Sequence, residues 1–382
     1  MERSVRVTAQ STIAASERAL DSLARAPAGE ALRLPSNIRH LAGGAEAALA
    51  QVIISWAQQN PDALLETFIE SAEQIDDFVR RLPGLVAGLC AEEATGLGQA
   101  GSIAPALRRA ALARLDQLQS ERPKQGYRGA SAEIVCADHL GRDTPYLLYL
   151  PGVHGSSGLR PRENFRDLAS WLLRGAVRGS YRAHVPADAA EAIGAMLFEI
   201  FKNTEDHALT NVAGDLLDVS IRAIKTNHHA IAPEQLARIV GEYAPLASYC
   251  EALTVPQGAV YTHLFELSVL DSGPGFAATW TGAALDDLSI EDEERAVRAC
   301  FGKGSAKGQS RFGEGLPHVL RLLRRQKGFL RLRTGRLSFF IDFSNEAQDA
   351  DDMLRRYQQA DLAALAPVAG TLLTILIPIQ RT

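Results

Sequence analysis

Glu199, Asn203 and His207 stand four residues apart in Glu199-Ile-Phe-Lys-Asn203-Thr-Glu-Asp-His207, so on an α-helix they rise along one stripe. Magnesium on a polyphosphate keeps few protein ligands, and the amide of Asn203 offers one neutral carbonyl oxygen. One turn earlier on the stripe, the Glu199 carboxylate can orient a water and accept its proton. The plain alternative is a helix with polar positions on its solvent face. Further on, Asp271 closes the apolar run Phe-Glu-Leu-Ser-Val-Leu-Asp and opens Asp271-Ser-Gly273-Pro-Gly275. A carboxylate there can accept from the amino group of a base, while Gly273 and Gly275 let the backbone turn with positive φ and approach a ring without a Cβ clash. Alone, this motif reads equally as a turn after a buried strand.

A third segment, Gly302 to Arg311, is glycine-rich and cationic, and Gly313-Glu-Gly315-Leu316-Pro317 leads from it into a helix. Backbone amides at a helix start suit a triphosphate, and Lys303, Lys307 and Arg311 can neutralise its charge. Taken singly, each cation reads as an ordinary solvated loop residue. The fourth motif, Gly370-Thr371, opens the final apolar stretch.

The elements that position these residues follow from periodicity. An apolar helix after Pro186 carries Ile193, Met196, Leu197, Ile200 and Phe201 on one side. LLDVSIRAI, YTHLFELSVLD, GFLRLRTG, LSFFIDF and TLLTILIPI read as strands, with a helix over Pro317 to Arg325 and a helical insertion from about Lys225 to Gln257. The fold class expected is α+β: a carboxy-terminal α/β sandwich over residues 181–382, one mixed sheet covered by helices. Residues 1–125 read as a mainly helical domain. Within them Asn60-Pro61 serves as a helix start, and Leu64, Leu65, Phe68, Ile69, Ile75, Phe78, Val79 and Leu82 recur at helix spacing. Residues 126–180 form a small mixed segment or an extension of the sandwich sheet: EIVCA and YLLYL as strands, a loop at Pro151 to Gly158, and the helix NFRDLASWLLRG. The preferred linker is Arg122 to Gly129.

Together, in this order and at domain-scale spacing, the four motifs resemble the N, G1, G2 and terminal Gly-Thr boxes of the GHKL ATPase superfamily, whose members include gyrase B, the large heat-shock chaperones, sensor histidine kinases and MutL. The resemblance covers roughly residues 181–382. It implies ATP and magnesium as cofactors, with Asn203 on the metal and Glu199 as the hydrolytic base. It puts His207 near the phosphates, Asp271 and Thr371 on adenine beside Gly273 and Gly275, and Lys303, Lys307, Gly313, Gly315 and Leu316 in the lid and G2 box. Pro317 departs from the pattern, where relatives carry glycine or a small residue; the helix tolerates it, and the lid's closing geometry is put in question.

None of the nine histidines precedes an acidic residue, so no phosphoacceptor motif of a sensor kinase is present. Anti-sigma serine kinases share the boxes but are usually a bare domain. Little chain follows the Gly-Thr box, so cationic help at the phosphates is expected from the lid, the amino-terminal half or a partner, and turnover is expected to be slow. The function expected is an ATP-dependent conformational switch acting on the amino-terminal region, a partner protein or a homodimer. The alternatives are a histidine- or serine-kinase-like protein kinase with a separate substrate protein, and a non-hydrolysing nucleotide-binding scaffold.

Bulk properties narrow the field. A net charge of -5 and a pI near 6.0 provide no global basic field for nucleic acid. Cys90, Cys136, Cys250 and Cys300 lie far apart, against a zinc knuckle or disulfide framework, and a cytoplasmic setting fits best. The amino terminus has no secretory apolar segment, and no run approaches the roughly 20 apolar residues of a membrane span, so a soluble protein is expected. No P-loop occurs, and Leu-Pro-Gly-Val-His-Gly lacks the Gly-x-Ser-x-Gly elbow of a serine hydrolase. His228-His229 reads as a pair of surface histidines.

Overall fold

The first 120 residues alternate short strands with helices: β1 (Ser4–Arg6), β2 (Gln10–Ser11), α1 (Ile13–Arg25), β3 (Ala31–Leu34), β4 (Arg39–His40), α2 (Ala45–Gln59), β5 (Leu64–Thr67), α3 (Ala72–Val79), α4 (Leu82–Cys90), β6 (Glu93–Gly96) and α5 (Ala104–Gln119). The computed structural model describes residues 4–40, 43–62, 64–96, 98, 101–120, 131–142, 144–152, 158–186, 188–236, 240, 242–253, 261–302, 315–344, 354–357 and 364–379. β1, β3, β5 and β6 form a parallel sheet in that spatial order, and β2 pairs with β4. Parallel neighbours need a crossover, and helices supply it here. In α2 every residue from Ala45 to Ala57 is buried, Glu46 and Gln51 included, and apart from these two the buried stretch is apolar or small.

The second half comprises β7 (Ser131–Ala137), α6 (Asn164–Ala176), α7 (Ala189–His207), β8 (Ile221–Ile231), α8 (Ala244–Ala252), β9 (Thr262–Asp271), α9 (Phe276–Thr281), α10 (Ile290–Phe301), α11 (Gly315–Arg325), β10 (Phe329–Gly335), β11 (Leu337–Asp342), β12 (Arg355–Arg356) and β13 (Val368–Pro378). Its seven-stranded sheet runs β12-β11-β10-β13-β9-β8-β7. Strand alternation sorts the side chains. Phe265, Leu267 and Val269 of β9 and Leu373, Ile375 and Ile377 of β13 form one core with α6, α7, α10 and α11. Leu270 and Leu372, pointing the other way, join the core of the first 120 residues.

That second face also carries Lys225, Glu266, Ser268, Arg331, Arg333 and Thr374, all buried. Its charges are met from the amino-terminal helices. Glu17 of α1 accepts from Arg333 Nε at 3.0 Å and Arg331 Nη2 at 3.1 Å. Lys225 Nζ lies 3.2 Å from Glu46 of α2 and 2.9 Å from Glu133 of β7, which Arg114 of α5 also reaches at 2.8 Å. At the start of α2, the Gly43 and Gly44 amides each donate to Glu266 at 2.9 Å.

Several expectations are corrected. The seven-stranded sheet is antiparallel at every neighbouring pair rather than mixed. Among the described residues two α-helices, α6 and α7, lie between β7 and β8, and the end of β7 at Ala137 pairs with the start of β8 at Ile221. The first 120 residues are mainly helical by length, yet the helices cover a parallel sheet whose strands are at most four residues long. Asn60 ends a helix instead of starting one: it caps α2, its amide nitrogen donating to Trp56 O at 3.0 Å and its Oδ1 accepting from Gly29 N at 2.7 Å. Proline just past a helix end is as natural as proline at its start. Leu64 and Leu65 accordingly lie in β5. YLLYL is a turn with one bridge, Tyr149 to Leu159, and Lys225 belongs to β8, not to an insertion. β7 is an edge strand of the large sheet, paired with β8. The linker expected at 122–129 lies outside the described residues.

If the buried charges hold the two halves together, Glu17→Ala should cost about 3–5 kcal/mol, because Arg331 and Arg333 lose their counter-charge in the interior. Asp21→Ala, which removes the exposed Arg25 partner on the same helix, should cost under about 1 kcal/mol. Urea unfolding of both variants measures this, and equal small losses would contradict it.

Candidate functional site

Helix α7 buries Ile193, Met196, Leu197, Ile200 and Phe201 against the sheet. That orientation leaves Glu199, Asn203 and His207 along the wall of a cleft of about 980 Å³. Gly194 fixes the helix's neighbour. A Cβ there would stand 2.6 Å from the Phe165 carbonyl, so only glycine lets the backbone at the start of α6 come this close. At its far end, α7 meets the Asp271 turn, where a Cβ on Gly273 would press on Ala208 Cα at 2.7 Å.

Asp271 closes β9 on the cleft side and is buried. Its Oδ1 accepts from the Gly273 amide at 2.9 Å and the Thr371 amide at 3.2 Å. Burial pushes its carboxyl up to about 6, against the lowering effect of those two amides and of Arg222. Gly370 has φ 62°, and its amide donates to Gly273 O at 2.8 Å; a side chain there would overlap the Asp271 carbonyl. Gly275 has φ 84°, whereas Gly273 has no positive φ and is required for close approach instead. Thr334 of β10 ties this end together. Its Oγ1 accepts from the Phe276 amide at 3.1 Å and lies 3.3 Å from Thr371 Oγ1.

At the other end Gly315 opens α11 beside Glu199: a Cβ on it would be 2.7 Å from Glu199 Oε2. Leu316 and Pro317 also line the wall, Pro317 within the first turn of the helix, where proline is tolerated. Arg162 Nη1 approaches Glu199 Oε1 at 3.3 Å. From Glu199 to His207 the helix rises about 12 Å. The cleft thus offers a buried carboxyl at one end, and a carboxylate beside a guanidinium, with an amide one turn along α7, at the other. Such a site fits an elongated ligand with a ring amino donor at one end and an anion at the other, and its volume is in the range of small-molecule pockets.

The cleft brings together Glu199, Asn203, His207, Asp271, Gly275, Gly315, Leu316 and Thr371. Gly273 supports it from behind through Ala208. Lys303, Lys307, Arg311 and Gly313 lie outside the described residues. Sequence inspection missed Thr334, Phe276, Cys300 and Arg162; of these only Phe276 had a signal, directly after Gly275. Burial pushes the Cys300 thiol up to about 12, so it stays protonated at neutral pH and is no nucleophile. His228 and His229 are not a free surface pair: His229 Nε2 lies 2.8 Å from Glu266, and His228 Nε2 lies 3.2 Å from His263 Nδ1. Among the described residues no three His, Cys, Asp or Glu side chains group as a metal site, and no helix is long and apolar enough to cross a membrane.

Compared with protein-family models, curated proteins and solved structures, the chain matches none.

Asp271 sets a pH dependence whose sign is fixed by its raised pKa. The folded state holds the proton more tightly than an unfolded chain with a pKa near 3.8, so the stabilisation from this group is complete below about 4 and is lost as pH rises through about 6. Asn at this position keeps the Oδ1 acceptor without titrating. Asp271→Asn should therefore gain roughly 2 kcal/mol relative to wild type between pH 4 and pH 7, read by chemical denaturation at both values. A pH-independent difference would show that Asp271 does not titrate in this window.

Proposed function

We propose that the protein binds magnesium ATP in this cleft and hydrolyses it slowly, using the nucleotide as a conformational switch. The observation that carries the proposal is convergence: motifs spread from Glu199 to Thr371 line one cleft, and the GHKL resemblance implies one nucleotide for them to hold. The roughly 12 Å between the ends of the Glu199–His207 stripe is on the scale of an extended nucleoside triphosphate.

In this account Asp271 accepts from the adenine amino group, with Thr371 beside it and Phe276 available to the ring. Asn203 would offer the metal one carbonyl oxygen, and magnesium on a triphosphate needs few protein ligands. When bound, the metal neutralises charge on the phosphates. Glu199 orients a water and takes its proton as the water oxygen bonds to the terminal phosphorus; the bond from that phosphorus to the bridging oxygen breaks, and ADP leaves with phosphate.

The switch is supported by what α2 touches. Gln58 Nε2 donates to Ser272 O at 2.9 Å and to Val219 O at 3.0 Å. Ser55 Oγ accepts from the Ala369 amide at 2.9 Å, and Gln51 Nε2 donates to Ala369 O at 3.1 Å. The amino-terminal unit therefore grips the backbone beside both Asp271 and Thr371. Movement of those loops on binding adenine is transmitted directly to α2.

Calorimetry with ATP and magnesium should give binding to wild type and to Glu199→Ala alike, while phosphate release in the variant falls by about 10²-fold or more. Unchanged release would remove Glu199 from the mechanism, and label appearing on a protein instead of as free phosphate would replace hydrolysis by phosphotransfer. Because the ionised Asp271 is the stronger acceptor, ATP affinity should rise from pH 5 to pH 7 and then level off. Asp271→Asn should bind more weakly, with a flat profile; a wild-type profile equally flat would contradict the assignment of Asp271 to the base.

A further inference from the structure

Arg162, just before α6, contacts Glu199 on the cleft wall and His318 of α11, the helix whose first residues Gly315, Leu316 and Pro317 line the cleft. Its Nη1 lies 3.3 Å from Glu199 Oε1, and its Nη2 lies 2.6 Å from His318 Nε2 on the first turns of α11. Two packing facts set this position. Gly194 seats the backbone of Phe165 and Arg166 directly on α7, a turn and a half before Glu199, and Gly315 seats the start of α11 on Glu199 itself. Close backbone packing thus sets the segment carrying Arg162 beside α7, where its guanidinium meets Glu199.

The pair is also built to be exchanged. Arg162 is 46% exposed and Glu199 20%. An ion pair this open is worth little and competes with any better acceptor. Positive charge is in surplus there: Arg162, Arg321 and Arg325 all bear on His318, with Glu199 as the opposing acid, and Arg321 Nη2 lies 3.2 Å from His318 Nδ1. A planar guanidinium matches phosphate oxygens two at a time, an arrangement a lone carboxylate oxygen at 3.3 Å does not provide.

We infer that Arg162 reads the terminal phosphate of the bound nucleotide. Without that phosphate the guanidinium pairs with Glu199; with it, the guanidinium moves to phosphate oxygens, releases the Glu199 carboxylate to hold water, and draws the starts of α6 and α11 together. This inference rests on the ATP proposal above and makes Arg162 the residue that tells triphosphate from diphosphate.

Calorimetry on the full-length protein with magnesium tests it, using ADP and the non-hydrolysable adenylyl imidodiphosphate as probes. Wild type should prefer the triphosphate analogue. Arg162→Ala should weaken the analogue by roughly tenfold to a hundredfold and leave ADP within about twofold, and Arg162→Lys should recover part of the loss. If Arg162→Ala does not fold, the same comparison is made with Arg162→Gln and Arg162→Lys. Equal weakening of both nucleotides, or no change in either, overturns the role of Arg162 while leaving the ATP proposal standing. Failure of wild type to bind either nucleotide removes the ATP proposal and this inference with it.

Discussion

The back of the seven-stranded sheet is polar and dry at the same time, and the rest of the structure follows from that constraint. Lys225, Glu266, Arg331 and Arg333 point away from the cleft into an interface that excludes water. Charges there persist only when paired, because desolvation outweighs any unmatched attraction. Glu17, Glu46, Glu133 and the amides at the start of α2 give each of these charges a partner, although Nε and Nη1 of Arg331 have none. The first 120 residues are therefore not an appendage. Glu17, Glu46 and the α2 amides supply partners to Arg331, Arg333, Lys225 and Glu266, while Glu133 and His229 of the sheet itself supply the others.

This interface bears on the cleft because both are built on the same strands. β9 and β13 present Glu266, Ser268 and Thr374 to the amino-terminal unit, and Val269, Asp271, Thr371 and Leu373 to the cleft. Gln51, Ser55 and Gln58 bond to backbone one or two residues from Asp271 and Thr371. A shift of the turn at 271–275 cannot be absorbed in slack loops on the far side, since α2 fills that space. The same tight construction leaves no room for a side chain at Gly370, where β13 lies against the Asp271 carbonyl at the end of β9.

Much of the cleft was legible in the sequence, for physical reasons that also mark where legibility stopped. α7 and β9 are long and strongly periodic, so the stripe Glu199, Asn203, His207 and the strand end at Asp271 could be placed before any coordinates. β1, β3, β5 and β6 are three or four residues each, too short for alternation to show, and the parallel sheet went unseen. Asn60-Pro61 pointed the wrong way because the pair suits either end of a helix, and only the packing of α2 decides. Arg162 had no local signal: what brings it to Glu199 is the close approach of α6 to Gly194, a contact between segments with no motif in common. GFLRLRTG was legible as a strand, but nothing in it told that Arg331 and Arg333 are buried against Glu17 of α1.

In the proposed complex one elongated ligand is held at Asp271 by its base and at Glu199, Asn203 and Arg162 by its phosphates. A crystal structure of the full-length protein with magnesium and adenylyl imidodiphosphate tests it most directly. The account predicts the adenine amino group within hydrogen-bond distance of Asp271 and the terminal phosphate within reach of Glu199 and Arg162. Density for the base elsewhere, or phosphates directed away from α7, would contradict it.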